Sequence, residues 1–385
     1  MITLKRVCIN GFTSIAALAG LELNRLTVLV GANGAGKSNF LTFFHMLNYM
    51  MSGSLQTFIG RFGGANSLLY LGAKRTHICD GRIEFDTEQG RNIYEFSFAH
   101  ARPDTLIFTD ETISLQRAGE PVRAEPIVLG AGHKESALLE PLNWERGICR
   151  FFRETLTRFR FFHFHDTSAT PPLRSRTRTG ATRFLNAHGG NLPAILLYLR
   201  DRYPSDYAMV VKTVRLVAPF FEDFVLEPEP GTQVPTWVAG DEESEGGWLL
   251  LRWRGKDPGY EYGVHQLSDG TLRFIALATL LLLPETYRQK AIFIDEPELG
   301  LHPYAIRLLA SLMKSASAHT QIVATTQSPV FLDQFAPDEV ATVDRKEHSS
   351  VFHRPQRPEL ASWLEEYTLG DVWSRNLMGG VPVHE

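Results

Sequence analysis

The sequence predicts an α/β fold with a mixed sheet core, an antiparallel β lobe beside it and a short helical insertion. Three observations predict it. Residues 26–51 read as strand, glycine loop, helix. Residues 77–128 alternate apolar and polar side chains between turns, as an antiparallel meander does. After residue 268, helical and strand patterns alternate again, the order of β-α-β units.

Taken in order, residues 2–9 and "LTVLV" (26–30) read as strands, and "SNFLTFFHMLNYMM" carries apolar residues around most of a helix, with no proline or glycine before Gly53. Residues 144–165 are rich in Arg, Phe and His. His163 and His165 alternate there with aromatics on an expected strand, where histidines are more often structural than metal-binding. "SATPPLRSRTRTGATRF" lacks periodicity and reads as a loop. "NLPAILLYLRDRYPSDYAMVVKTVRLVAPFF" reads as two helices broken near Pro204. Residues 222–265 return to short strands, with an acidic turn at "GDEESEGG". A helix to about Leu283, the strand "AIFID", a helix from about His302 to Ser317, the strand "QIVAT" and a short helix after Pro329 follow. No repeat of fixed period and no long heptad run is present.

Composition narrows the functional classes. The chain has 385 residues, 44% of them hydrophobic, and a net charge of −4, so no bulk charge points to a partner and any nucleic-acid surface must be local. Cys8, Cys79 and Cys149 form no CxxC pair, which speaks against a zinc site or a disulfide framework and fits a cytoplasmic location. The start "MITLKRVCIN" has no apolar stretch of the signal-peptide kind. The most apolar run, Ile275–Leu283, is too short to span a bilayer, so no membrane association is expected.

The chemistry concentrates in three segments. "GANGAGKS" matches the phosphate-loop pattern at Gly31, Gly36, Lys37 and Ser38. Glycines let backbone N–H groups turn onto phosphates, and the following helix adds its positive end. Lys37 is expected to reach the β- and γ-phosphates and Ser38 to bind Mg²⁺; Gly31, Asn33, Gly34, Gly36, Lys37, Ser38 and Asn39 are the candidate ATP-binding residues. In "AIFIDEPELGLHP", an apolar strand ends in Asp295, a candidate Mg²⁺ ligand, followed by Glu296, a candidate general base. In "LSDGTLRF", Ser268 is placed to cap an apolar helix, and a capped helix start can also receive an anion.

The order of these segments resembles the ABC-type ATPases of the RecF, SMC and OLD group. "LSDGTLRFIALATLLL" stands where that group has its signature motif, "ELGLHP" is similar to its D-loop, and in "ATTQSPVFLDQF" Gln327 stands where most relatives have a switch histidine. "INGFTSI", "FHFHDTS", "NLPAILLYLR", "VRLVAPFFEDF" and the closing "LGDVW…GG" resemble a smaller bacterial branch, AAA-family ATPases with no fused nuclease. The resemblance covers nearly the whole chain. It implies an ABC-type, RecF/SMC-like P-loop ATPase head over residues 1–345, interrupted by an insertion at about 130–222, with a C-terminal extension, 346–385, packing on it. It also implies a homodimer closed around two ATP molecules. Ser268 and Gly270 of one copy would then complete the site formed by Lys37, Ser38, Asp295 and Glu296 of the other, with Gln327 as a further catalytic residue.

Departures from relatives shape the expectation. The candidate helical insertion, about 187–221, is too short for an SMC coiled coil, and the fifty residues after Phe335 are too few for the Toprim nuclease domain of OLD proteins. From Arg146 to Arg183, nine arginines face only Glu154 and Asp166. That charge suits contact with a DNA or RNA backbone; a solvated basic face, or arginines paired with acids, fits it as well. Gln56 is the candidate Q-loop residue. The function expected is a slow ATP-hydrolysing switch in DNA surveillance, repair or anti-phage defence, with a separately encoded nuclease or toxin. The alternative is an ATP-binding scaffold with little hydrolysis that holds such a partner.

Overall fold

The computed structural model describes residues 2–119, 125–144, 147–164, 171–229, 247–257 and 259–381. Its strands, in chain order, are β1 (Thr3–Phe12), β2 (Ile15–Glu22), β3 (Leu26–Val30), β4 (Ile78–Thr87), β5 (Gly90–Ala101), β6 (Thr105–Arg117), β7 (Ile127–Gly130), β8 (Phe159–Phe162), β9 (Thr177–Arg178), β10 (Phe221–Val225), β11 (Trp248–Leu249), β12 (Arg252–Gly255), β13 (Glu261–Gly263), β14 (Ala291–Asp295), β15 (Gln321–Thr326), β16 (Val340–Lys346) and β17 (Ser349–His353). The chain divides into two compact units. The first holds residues 1–160, 289–293 and 320–385; the second holds 161–288 and 294–319.

In the first unit, β2-β1-β4-β5-β6-β7 form an antiparallel sheet, the expected meander extended by one N-terminal hairpin. The second sheet runs β17-β16-β3-β15-β14-β8. It is mixed: β3 pairs in parallel with both β15 and β16, and β17 pairs antiparallel with β16. All five residues of β3 are buried and apolar except Thr27, which is also buried. Such a continuous apolar run is what a strand covered on both faces requires.

The helix Lys37–Met51 leaves β3 through the glycine loop, and its phenylalanines explain its all-round apolarity. Phe43 meets Phe12 and Phe96 of the antiparallel sheet, with ring centroids 5.6 Å and 6.1 Å away. Phe44 meets Phe293 of β14 at 4.8 Å, and Phe40 meets Phe352 of β17 at 5.3 Å. The helix is therefore packed from two sheets at once, and each of these three rings is fully buried. Burying a phenylalanine contributes on the order of 2 kcal/mol, so this helix anchors the unit.

The second unit carries the two helices expected around Pro204, Leu192–Arg202 and Pro204–Val217. Pro204 opens the second of them at the position where its missing N–H costs nothing. The helix Asp269–Leu281 packs against Pro204–Val217 and against Pro303–Ser317. Small sheets, β10-β12-β13 and β9-β11, complete the unit. Part of the stretch read as a loop is ordered by pairing: β9 lies against β11 with Arg178 opposite Trp248. His165 and the acidic turn at 240–247, apart from Gly247, lie outside the described residues. No helix among the described residues is long and apolar enough to cross a membrane.

Candidate nucleotide site

The phosphate loop belongs to the first unit. Lys37 is 5% exposed, and its Nζ donates to the carbonyls of Gly31 at 2.6 Å and Ala32 at 2.9 Å. The ammonium is thus folded back over the loop it must serve. Asn33 and Gly34 are exposed at the crown, and Ser38 is exposed in the first helical turn. Those groups and the positive end of the helix suit a polyphosphate with its cation.

Gly36 is held by a second network. Ser14 and Ser350 share a hydroxyl hydrogen bond of 2.7 Å, Asn39 Nδ2 donates to Ser14 Oγ at 2.7 Å, and the Ser350 N–H donates to the Ser14 carbonyl at 2.7 Å. The amide of Asn39, a candidate ligand, therefore ties the loop to the β1–β2 turn. Ser14 lies in the segment "INGFTSI" and was not singled out by sequence reasoning. Gly36 has φ +111°, and a Cβ there would stand 2.0 Å from Ser350 Oγ. Gly36→Ala is expected to lower stability by about 3 kcal/mol, combining left-handed strain with overpacking. Urea denaturation checks this, together with a weakened affinity for ATP. Arg345 Nη1 adds a bond to the Gly34 carbonyl at 3.1 Å, another partner invisible to a local pattern.

Gln327 follows directly on Thr326, which pairs with Val30, the residue before Gly31. The register of β15 on β3 thus brings the switch position beside the phosphate loop. Gln56, the candidate Q-loop residue, has its side chain engaged elsewhere. Its amide nitrogen donates to Leu106 O at 3.2 Å and Lys134 O at 2.7 Å, and its oxygen accepts from Thr105, so the side chain is consumed in tying its helix to β6.

Asp295 ends β14, after four buried residues. Glu296 has φ +45°, a left-handed conformation that costs a non-glycine residue about 1–3 kcal/mol and clusters at functional positions. Asp295 and Glu296 fall in the second unit, and there His163 Nδ1 lies 3.9 Å from Asp295 Oδ2. The His163 N–H donates to Ala187 O at 2.9 Å and its carbonyl accepts from His188 Nδ1 at 3.0 Å, so the backbone that carries the ring is fixed. His163 is thus placed at the carboxylate end of β14, one residue past the end of β8.

The helix Asp269–Leu281 begins as expected. Ser268 is exposed and caps it, its Oγ accepting from Thr271 N at 3.1 Å. Gly270 touches the D-loop of its own chain: a Cβ would stand 2.2 Å from Gly300 O. Arg273 Nη1 donates to Leu299 O at 2.9 Å, fixing the same contact. Arg174 joins this turn from the basic segment, with bonds to Val264 O, Leu267 O and Asp269. Its guanidinium beside Asp269 holds that carboxyl below the usual carboxylate range. Other arginines of the segment also have internal partners. Arg176 pairs with Glu229 at 3.2 Å, Arg178 lies 4.1 Å over the Trp248 ring, and Arg160 donates to Thr157 O and Phe159 O. Arg146 lies outside the described residues. Among the described residues no group of three or more His, Cys, Asp or Glu is placed to hold a metal.

A phosphate loop mounted between a parallel strand and a helix buried by two sheets defines the class, an ABC-type P-loop ATPase head of the RecF/SMC-like group. The chain belongs to the family described as "AAA domain, putative AbiEii toxin, Type IV TA system", whose model matches residues 26–333. Membership makes it an ATP-binding protein of an ATPase family. No match was found among curated proteins. Two solved structures share the fold at 14% identity. One is an SMC head bound to the C-terminal winged-helix domain of ScpA, with a TM-score of 0.58 over 92% of this chain and 98% of that one. The other is an SMC head with an extended coiled coil bound to the C-terminal domain of ScpA, from Pyrococcus furiosus, with a TM-score of 0.56 over 95% and 99%.

Proposed function

We propose that this protein is an ATP-hydrolysing switch that closes as a homodimer around two ATP molecules. Lys37 and the N–H groups of residues 31–39 would hold the phosphates, and Ser38 and Asp295 would hold Mg²⁺. The metal, when bound, neutralises charge on the β- and γ-phosphates. Glu296 takes a proton from the attacking water, and Gln327 orients groups at the γ-phosphate as a neutral donor and acceptor. Ser268 and Gly270 serve the site of the twin subunit. Downstream, the switch acts in DNA surveillance, repair or anti-phage defence through a separately encoded nuclease or toxin, a setting in keeping with the toxin–antitoxin wording of the family description.

The observation that carries the two-copy reading is the exposure of Ser268 at the head of a buried helix. An exposed helix start can receive a second chain's phosphates, the Ser268 hydroxyl turning from Thr271 to meet them. An ATP molecule bound between copies also supplies the differential affinity that shifts an open state to a closed one.

Ser268→Arg tests it. The variant is expected to bind ATP within about twofold of the parent, since its own phosphate loop is untouched, and to lose turnover about 100-fold, since the arginine blocks approach of the twin. Equilibrium binding and phosphate release measure the two quantities. Loss of binding in this variant would mean that the serine serves its own subunit's nucleotide.

A further inference from the structure

We propose that Arg174 is the positioning residue of the signature turn and acts on turnover only through the site of the twin subunit. The inference rests on the two-copy reading above. Arg174 Nη1 donates to Val264 O at 2.7 Å, and Nη2 donates to Leu267 O at 3.0 Å and Asp269 Oδ1 at 2.6 Å. The three acceptors bracket Ser268 on both sides. The side chain of Arg174 is 16% exposed while that of Asp269 is 71% exposed, so the guanidinium lies under the turn and steadies it from within.

The turn needs that support. Leu267 has φ −86° and ψ 142°, and Ser268 has φ −65° and ψ 154°. Both are extended, and they join the short turn of helix Val264–Gln266 to the helix that starts at Asp269. An extended link between two helical pieces makes few backbone bonds of its own. The Val264 and Leu267 carbonyls precede that helix and stand outside its hydrogen-bond ladder, and Arg174 supplies a donor to each. A planar fork holds acceptors spread along one side in fixed directions, which the compact, rotating ammonium of a lysine does not.

Arg174 is itself firmly mounted. It sits in the short helical turn Pro172–Arg174, and three residues later the chain enters β9, which pairs with β11. Arg176 and Arg178 fasten the same stretch to Glu229 and Trp248. Part of the charge that suggested a nucleic-acid contact is thus spent on holding the signature turn in place.

The test uses the full chain. Arg174→Ala is expected to bind ATP as the parent does and to lose turnover about tenfold or more, with Arg174→Lys retaining an intermediate rate because it keeps the charge without the fork. Each variant is then mixed with Lys37→Ala, which lacks a working phosphate loop but has an intact signature turn. In the mixed dimer the phosphate loop of the Arg174→Ala chain meets the signature turn of the Lys37→Ala chain. Turnover should exceed the sum of the two variants alone. Ser268→Arg mixed with Lys37→Ala is the reference. If that reference recovers and the Arg174→Ala mixture does not, Arg174 acts within its own subunit and the proposal is overturned. If neither mixture recovers, the two-copy reading itself fails. Loss of ATP binding in both Arg174→Ala and Arg174→Lys would also overturn the proposal.

Discussion

Replacing Glu296 by Gln is expected to cut ATP turnover by about 100-fold or more and to trap a species of twice the mass that forms only with ATP and Mg²⁺. The size follows from chemistry. A positioned general base contributes on the order of 10²–10⁴ in rate, and an amide cannot accept the proton of the attacking water. Glutamine keeps the length and shape of glutamate, so the left-handed backbone at φ +45° and the turn closed by the Leu299 N–H on Glu296 O at 3.2 Å should persist. Stability should therefore stay within about 0.5 kcal/mol of the parent. Phosphate release measures the rate, and sedimentation or light scattering measures the mass. Turnover that persists unchanged in the variant would remove Glu296 from the catalytic role. A parent protein that binds ATP and never releases phosphate, with or without DNA, would favour the scaffold over the switch.

What the sequence reveals and what it hides divides along sequence distance. The phosphate loop is legible because its groups are consecutive: Gly31 to Asn39 need no distant partner to be recognised. The strands β3 and β14 are legible because burial on both faces leaves continuous apolar runs. Strand β2 is hidden for a physical reason. A register shift between Val7 and Ile9 of β1 pairs them with Leu21 and Leu18, so the buried residues of β2 fall at Ile15, Leu18 and Leu21. A spacing of three looks nothing like the period of two expected of a strand. His163 and Arg174 are hidden differently. Each sits in a stretch rich in arginine and aromatics, and their partners Asp295 and Asp269 are brought to them only by the fold. Ser14 meets Ser350 in the same way, from opposite ends of the chain.

Gly270→Ala should destabilise the protein by about 2 kcal/mol, although alanine in a helix ordinarily stabilises by up to about 1 kcal/mol over glycine. The reversed sign comes from one contact. A Cβ at position 270 would stand 2.2 Å from the carbonyl oxygen of Gly300, and that oxygen is backbone, so it cannot rotate aside as a side-chain tip can. The neighbouring bond from Arg273 to Leu299 O resists the shift as well. Signature turn and D-loop must separate for the methyl group to fit. The D-loop begins only a few residues after Glu296, so turnover should fall along with stability, while ATP binding by Lys37 and the phosphate loop stays close to the parent's. Urea denaturation, phosphate release and ATP titration together read out all three. A variant as stable as the parent but slow in turnover would mean that the D-loop yields freely, and that glycine is needed at 270 for the approach of the twin's phosphates and not for packing within its own chain. A variant both stable and fully active would leave neither reason for a glycine standing.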